Sequence, residues 1–216
     1  MQLSSKTLAI LKNFSTINQG LIIKEGNTLR TMAKSKSVVA VAEVDETFPT
    51  DCKIYDLQKF LGIFSVFNDP DIEWNETSAS ITSGKSGLRY GYGESVTPEP
   101  PETMKEFVGD ATFDLAAEDL SQIMKMAGIL ESCDIVQFTL TNDVCEVSLE
   151  STEGANRNRF NIEVSDADID EEVIAKLNLD DLRILPLPYR VEVKSGAVRL
   201  VNDEYNIFYL IASVSD

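Results

Sequence analysis

Four times along this chain a short amphipathic helical stretch stands among runs of short, alternating strands. That recurrence restricts the fold to sheets covered by single helices. Ser4 and Ser5 offer an N-cap for a first helix over about 5–16. On a 100° wheel Leu8, Ile10, Leu11, Phe14 and Ile17 share one side, while Lys6, Ala9, Lys12, Asn13 and Thr16 share the other. Strand patterns follow at 20–25, 28–33 and 37–44, with hairpin breaks at Gly26-Asn27 and at 34–36. A strand at 52–55 leads to Asp56, which caps a second helix through about Phe67, apolar at Leu57, Phe60, Leu61, Phe64 and Phe67. Strands at 71–75, 80–82 and 87–92 end the first half.

The second half repeats the order. A strand at 111–115 precedes a helix over 117–127, with Leu120, Ile123, Met124 and Ala127 inside and Gln122 and Lys125 outside. Strands at 134–140, 144–150 and 159–164 come next, then 172–177 and a short fourth helix near 180–185 ended by Pro186. Strands at 189–193, 197–201 and 207–214 close the chain, with Ser195-Gly196 as a hairpin turn. The expected class is α+β: two similar domains, each built of two β-α-β-β-β units.

The domain boundary is read from a proline-rich stretch, ESVTPEPPETMKEFVGD, whose Pro98, Pro100 and Pro101 favour an extended, stiff connection. The expected division is 1–93, a linker at 94–110, and 111–216. Charge changes at the same place. Residues 1–108 carry 11 basic and 14 acidic side chains, and residues 109–216 carry 8 and 22. The whole chain has a formal charge of −17, which taken as a total argues against a nucleic-acid partner.

The 216 residues include no histidine, which removes Ser-His-Asp, Cys-His and His-metal arrangements together. Cys52, Cys133 and Cys145 are odd in number and widely spaced, the usage of reduced core thiols in a cytosolic protein. The start of the chain lacks a basic-then-apolar signal pattern, and no apolar run approaches the ~20 residues of a membrane span. An intracellular protein without a membrane partner is expected.

Motifs that suggest chemistry fail on spacing. Gly84-Lys85-Ser86 ends like a phosphate loop, but Ala79 stands where the earlier glycine is needed and a strand follows where a helix is needed. Asp166, Asp168 and Asp170 begin like a calcium loop, yet Glu171 replaces the sixth-position glycine and Leu177 the twelfth-position glutamate. No catalytic residue, metal site or cofactor is expected, so the chain reads as a non-enzyme.

The helix cations point elsewhere. Lys6, Lys12, Lys59, Lys125 and Arg183 are each explicable singly as solubilising surface residues. Together they make the free helix sides basic or neutral in an acidic chain. The acidic helix residues Glu118, Asp119, Asp180 and Asp181 fall in first turns, where the helix dipole favours them.

Two contiguous stretches, LAILKNFSTINQGLIIKEGN (8–27) and KIYDLQKFLGIFSVFNDPDIEW (53–74), resemble the sliding clamps of DNA replication, most closely those of T4-like bacteriophages. The endings PYRVEVKSG (188–196) and FYLIA (208–212) look like the last hairpin of clamps generally. The resemblance implies a DNA-clamp fold and a homotrimeric ring of six similar domains, helices inside and sheets outside. Twelve helices of ~10 Å diameter span a circle of roughly 120 Å and leave a hole of roughly 28 Å, wide enough for duplex DNA. Such a ring is held to DNA by topology and tethers the replicative DNA polymerase at high effective concentration.

The resemblance also implies roles. It implies a pore lined by basic helix positions, which the wheel reading assigns, beyond Lys12, to Lys6, Lys59, Lys125 and Arg183, facing phosphates without reading bases. The last strand of the first domain would pair with the second domain of the next subunit, through Leu88, Tyr90, Tyr92, Arg157, Phe160 and Ile162. A partner peptide would sit against Pro188, Tyr209 and Ile211 of the final hairpin with Phe107 from the linker, the alternative for each being ordinary core. Partners implied are double-stranded DNA, the polymerase, an ATP-dependent clamp loader and, as for some phage clamps, transcription factors, in the cytoplasm of an infected bacterial cell. The competing reading is an acidic DNA mimic or other non-catalytic binding protein, which explains −17 directly but calls for acidic free helix sides. For a ring the local sign on the helices matters, and the total does not.

Overall fold

Ser4 starts the first helix: its hydroxyl accepts the Thr7 N–H at 3.2 Å, and α1 (Ser5–Ile17) follows. A computed structural model describes residues 1–67, 69–93, 98–130, 132–141, 144–151, 158–165, 169 and 171–214. Asn18 ends α1. Its backbone N–H reaches the Phe14 carbonyl at 3.0 Å, and its side chain bonds Met32 and the Gly20 N–H, which turns the chain into the first strand.

The chain divides into two units, Met1–Glu102 with Glu204–Ile207, and Thr103–Asp203 with Phe208–Asp216. In the first unit β1 (Leu21–Ile23), β2 (Gly26–Met32), β3 (Val38–Phe48) and β4 (Cys52–Ile54) form an antiparallel sheet in the order β4-β1-β2-β3. Helix α2 (Leu57–Val66) then leads to β5 (Asp71–Trp74), β6 (Ser78–Ser83) and β7 (Ser86–Gly91), a second antiparallel sheet in sequence order. Gly84-Lys85 is the tight turn of the last hairpin, with Gly84 at φ +59°. The two helices pack against each other, and α1 also lies on β2 and β3.

The second unit holds β8 (Ala111–Leu115), α3 (Ala117–Ile129), β9 (Ile135–Leu140), β10 (Cys145–Glu150), β11 (Arg159–Ser165) and β12 (Val173–Asn178). A 3₁₀ turn (Leu179–Asp181) precedes β13 (Tyr189–Lys194), β14 (Ala197–Asn202) and β15 (Ile207–Ala212). The strand orders are β11-β10-β9-β12 and β15-β14-β13-β8. Alternate residues of these strands, among them Val136, Phe138, Val147, Leu149, Val191 and Leu200, are buried.

The repeating element order is present, with departures. No strand precedes α1; Met1 alone exchanges hydrogen bonds with Ile72 of β5, at 2.9 and 2.8 Å. The expected fourth helix near 180–185 is one 3₁₀ turn, because only a few residues separate β12 from Pro186. Among the described residues there are therefore three α-helices, so a trimer would bring nine rather than twelve. Asn13, read as outward, is buried, as is Thr7, whose hydroxyl donates to Glu46 of β3. Met124, read as inward, is exposed. Only Leu57 and Phe60 of the α2 apolar side are fully buried.

Candidate DNA, subunit and partner surfaces

The helix cations differ in how they are held. Lys12 and Lys125 are exposed. Lys59 is also exposed at 73%, yet its ammonium lies 3.0 Å from Asp56, the residue that caps its own helix. Asp56 also accepts the Lys59 backbone N–H at 3.0 Å. That N–H and the ammonium hold the Asp56 carboxyl below its ordinary 3.8, and the same carboxylate raises Lys59 above 10.5. Lys6 is half-buried: its ammonium donates to the Glu204 carbonyl at 3.3 Å and lies 5.4 Å from the Tyr205 ring centre. Arg183 lies beyond the 3₁₀ turn instead of on a helix, and its Nε donates back to the Asp180 carbonyl at 2.6 Å.

The strand segments named for subunit contact are both sheet edges. Among the described residues β7 pairs only with β6, and β11 only with β10, so within them each leaves one row of backbone groups open. Leu88 and Tyr90 lie on one face of the strand, so their difference is one of position along it: Leu88 is exposed at 40%, whereas Tyr90 reaches an aromatic cluster around Phe60. The Tyr90 ring stands edge-on to Phe60 with centroids 5.1 Å apart and stacks on Tyr55 at 6.1 Å; Phe64 and Trp74 complete the group. Burial pushes the Tyr90 phenol up to about 12 and raises that of Tyr92 as well. On β11, Phe160, Ile162 and Val164 share one half-buried face, while Arg159 on the other pairs with Glu146 and Glu150 at 3.5 Å. Arg157 lies outside the described residues. Two exposed apolar side chains stand in the last turns of helices, Val66 of α2 at 81% and Ile129 of α3 at 70%.

The four residues named for a partner peptide do not share one cavity. Tyr209 and Ile211 are fully buried in the second unit's core, where Tyr209 meets Tyr189 edge-on at 6.0 Å. Pro188 borders a different opening, beside Tyr189 and Asn202. Phe107 does line a cavity, of about 320 Å³, with Met104, Lys105, Arg199, Phe208 and Leu210. Phe208 and Leu210 are the opposite face of β15 from Tyr209 and Ile211, and alternation fixes that separation. The stretch that carries Phe107 is drawn onto β13 at its far end: Asp110 N–H reaches the Val193 carbonyl at 2.7 Å. At Gly109 a Cβ would stand 3.0 Å from the Ala111 carbonyl oxygen and 3.1 Å from Glu192 Cβ, so any other residue there requires its neighbours to shift by a few tenths of an ångström.

An ion-pair ladder crosses the same sheet. Asp203 meets Arg190, Arg190 meets Glu192, and Glu192 meets Arg199, at 3.4, 3.4 and 3.5 Å. Glu192 and Arg199 are direct cross-strand partners, and the Arg199 guanidinium lies 4.7 Å from the Phe208 ring centre. The stretch 207–212 is apolar throughout, so the sequence carries no signal that separates Phe208 and Leu210 from Tyr209 and Ile211, and the place of Arg199 follows only from the strand register.

The three cysteines are free and buried. Desolvation carries the Cys52 and Cys145 thiols to about 12, far from reactive thiolates. Among the described residues no group of His, Cys, Asp and Glu could hold a metal ion, and no helix is long and apolar enough to cross a membrane. Asp166, Asp168 and Asp170 lie outside the described residues.

Comparison with known proteins adds family likeness to this geometry. Residues 4–95 match the family described as DNA polymerase processivity factor. The sliding clamp of Vibrio phage KVP40 is 29% identical over 204 residues, covering 92% of each chain. That of Enterobacteria phage T4 is 27% identical over 227 residues, covering all of this chain and 98% of its own. Among solved structures, the A. fulgidus PCNA with the C-terminal region of FEN-1 bound to it superposes with a TM-score of 0.71. It is 10% identical and covered over 95% of its length, against 97% of this chain, a likeness of fold.

Proposed function

We infer that the chain, which belongs to the sliding clamps of T4-like phages, encircles duplex DNA as a ring and tethers a DNA polymerase for processive synthesis. The observation that carries this reading is the match, over nearly the full length of both chains, to two phage sliding clamps. The clamp fold shared with PCNA agrees with it. The competing reading, an acidic DNA mimic, calls for acidic free helix sides, whereas Lys12, Lys59 and Lys125 stand exposed on these helices.

The finer assignments are our proposals. Residues 1–93 and 111–216 act as two clamp domains joined through 94–110. Three copies close the ring. Each β7 edge adds to the β11 edge of its neighbour, a mode in which main-chain hydrogen bonds supply affinity and alternate side chains supply register. The free rows on β7 and β11 support it, and so do the exposed Leu88, Val66 and Ile129, apolar groups that an assembly would cover.

Inside the ring, Lys12, Lys59 and Lys125 face the phosphates, with Lys6 and Arg183 more restrained. Contacts made through water and without base readout leave the ring free to slide. The cavity beside Phe107 receives a short apolar segment of the polymerase or another partner, a role that the half-exposed Met104, Phe208 and Leu210 suit. Tyr209 and Ile211 support this cavity from the opposite face of β15, and Pro188 lies at a separate opening. A closed ring requires a loader that opens it, and an ATP-dependent one is the natural class. The site of action is the cytoplasm of the infected bacterial cell. Function rests on topology and tethering, with no bond made or broken by the clamp.

Native mass spectrometry together with retention on nicked circular and linear DNA tests the reading. A trimer that stays on circles after loading and runs off linear ends is expected. A monomer that binds neither form, or a protein that leaves both at equal rates, overturns it.

A further inference from the structure

The cavity beside Phe107 is apolar on most of its wall but not neutral. Met104, Phe107, Phe208 and Leu210 supply the apolar lining, and Lys105 and Arg199 stand at it with their charges. Among the lining residues these two cations face one acid, Glu106, in a chain whose formal charge is −17. Arg199 is also more restrained than an ordinary surface arginine. Its guanidinium is stacked at 4.7 Å on Phe208, and only Nη1 is engaged by Glu192, at 3.5 Å. Among the described residues its Nε and Nη2 have no hydrogen-bond partner. A planar donor fork fixed over an aromatic floor, with one edge open, suits a carboxylate more than a carbonyl.

We propose that Arg199 is a specificity residue, selecting partner peptides that carry an aspartate or glutamate beside the aromatic or leucine anchor seated against Phe107 and Leu210. The proposal rests on the reading that this cavity receives a partner peptide, and it goes further by stating the chemistry of that peptide. The cavity of about 320 Å³ stands at the low end of ligand pockets, roughly 300–1,000 Å³, which suits one or two anchor side chains. Lys105, which is exposed, adds a second charge, so the preference is for an acidic flank and not for one fixed geometry. Glu192 acts through Arg199 by holding its Nη1, and is a positioning residue.

The test is selection of a displayed library of random short peptides on the full-length trimer, with Leu210→Asp as the cavity control. Enriched peptides are expected to hold Asp or Glu within two positions of an aromatic or leucine anchor. Replacing that acid by its amide should weaken Kd roughly tenfold at low salt, less at high salt. Arg199→Gln should bind acid and amide peptides alike, at the weaker affinity; Arg199→Lys should keep part of the difference. Acid-free winners, or an Arg199→Gln variant that still discriminates, would overturn the Arg199 assignment while leaving the cavity reading intact. Peptides that bind Leu210→Asp as well as the parent, or no enrichment over it, would overturn both. Arg199 and Leu210 are half-exposed, so the variants should keep the parent's circular dichroism.

Discussion

Asp56 and Lys59 are bound to each other twice, once through the Lys59 backbone N–H at 3.0 Å and once through its ammonium, also at 3.0 Å. One carboxylate thus starts helix α2 and holds a cation proposed to face DNA. Because both donors depress the Asp56 carboxyl below 3.8, its contribution is complete above that value and is lost as pH falls through the folded one. Asp56→Asn keeps an acceptor for the N–H and removes the charge. Urea midpoints measured from pH about 5 down to about 2 should therefore fall more steeply for the parent than for Asp56→Asn. Parallel curves would mean that the pair contributes nothing in the native state.

Glu46 makes a related prediction from the other side of the unit. Burial raises its carboxyl, but the Ser4 N–H and the Thr7 hydroxyl outweigh that, and the group sits below its ordinary 4.5. A strand residue therefore completes the cap of α1. Glu46→Gln puts an amide hydrogen against one of the two donors and should cost about 1 kcal/mol, or about 2–4 °C in Tm for a domain of this size. Ser4→Ala should cost about as much, through the lost N-cap. If Glu46→Gln leaves Tm unchanged, α1 is held by its apolar side alone.

Phe60 links the core of the first unit to the proposed ring contact. Fully buried, it touches the rings of Phe64, Trp74 and Tyr90, and Tyr90 is on the edge strand β7. Phe60→Ala should cost about 3–5 kcal/mol and loosen β7 with it. Leu88→Glu, on the same strand but exposed, should break the trimer without that loss. Native mass and thermal melts on the two variants separate the effects. A stable trimer from Leu88→Glu would remove β7 from the interface.

Thiol chemistry offers an independent check of the packing. With Cys52 and Cys145 at about 12 from burial and Cys133 also raised, native protein should react with an aromatic disulfide reagent at pH 8 only as fast as it unfolds. Three thiols should then appear together in denaturant. One thiol labelled quickly in native buffer would mark a local opening, with Cys133 the first to examine.

What was legible in the sequence follows the strength of each periodic signal. The three α-helices were readable because Ile10-Leu11-Phe14-Ile17, Leu57-Phe60 and Leu120-Ile123-Ala127 repeat at helical spacing after recognisable starts. The fourth was over-read: Leu179, Leu182 and Leu185 repeat at helical spacing, but the stretch between β12 and Pro186 is too short to sustain an α-helix. The cavity was half-legible. Phe107 and the final hairpin pointed to the right neighbourhood, but Phe208–Ala212 is apolar on both faces, so alternation alone could not say which one meets the core. Tyr209 and Ile211 turned inward, and Phe208 and Leu210 remained. Cross-strand placement of Arg199 beside Glu192 needed the register, which no local pattern carries.

The proposed pore cations can be ranked by how freely each can answer a phosphate. Lys6 is engaged by Glu204 and Tyr205, Lys59 by Asp56, and Arg183 by Asp180, whereas Lys12 and Lys125 project from α1 and α3 with no ion pair among the described residues. A cation that must first release a partner gains less from DNA. Lys12→Glu and Lys125→Glu should therefore slow loading onto nicked circles several-fold each, more than Arg183→Glu or Lys6→Glu. Raising salt from about 50 to about 200 mM should bring all variants toward the parent, since the contacts are screened together. Once loaded, every variant should remain on circles as long as the parent, because a closed ring is retained by topology whatever its lining. Loading rates and residence times on circular DNA, taken in one single-molecule assay, read both halves. Equal loading by Lys12→Glu would sink the pore assignment, and shortened residence on circles would mean that affinity, not closure, keeps the protein there.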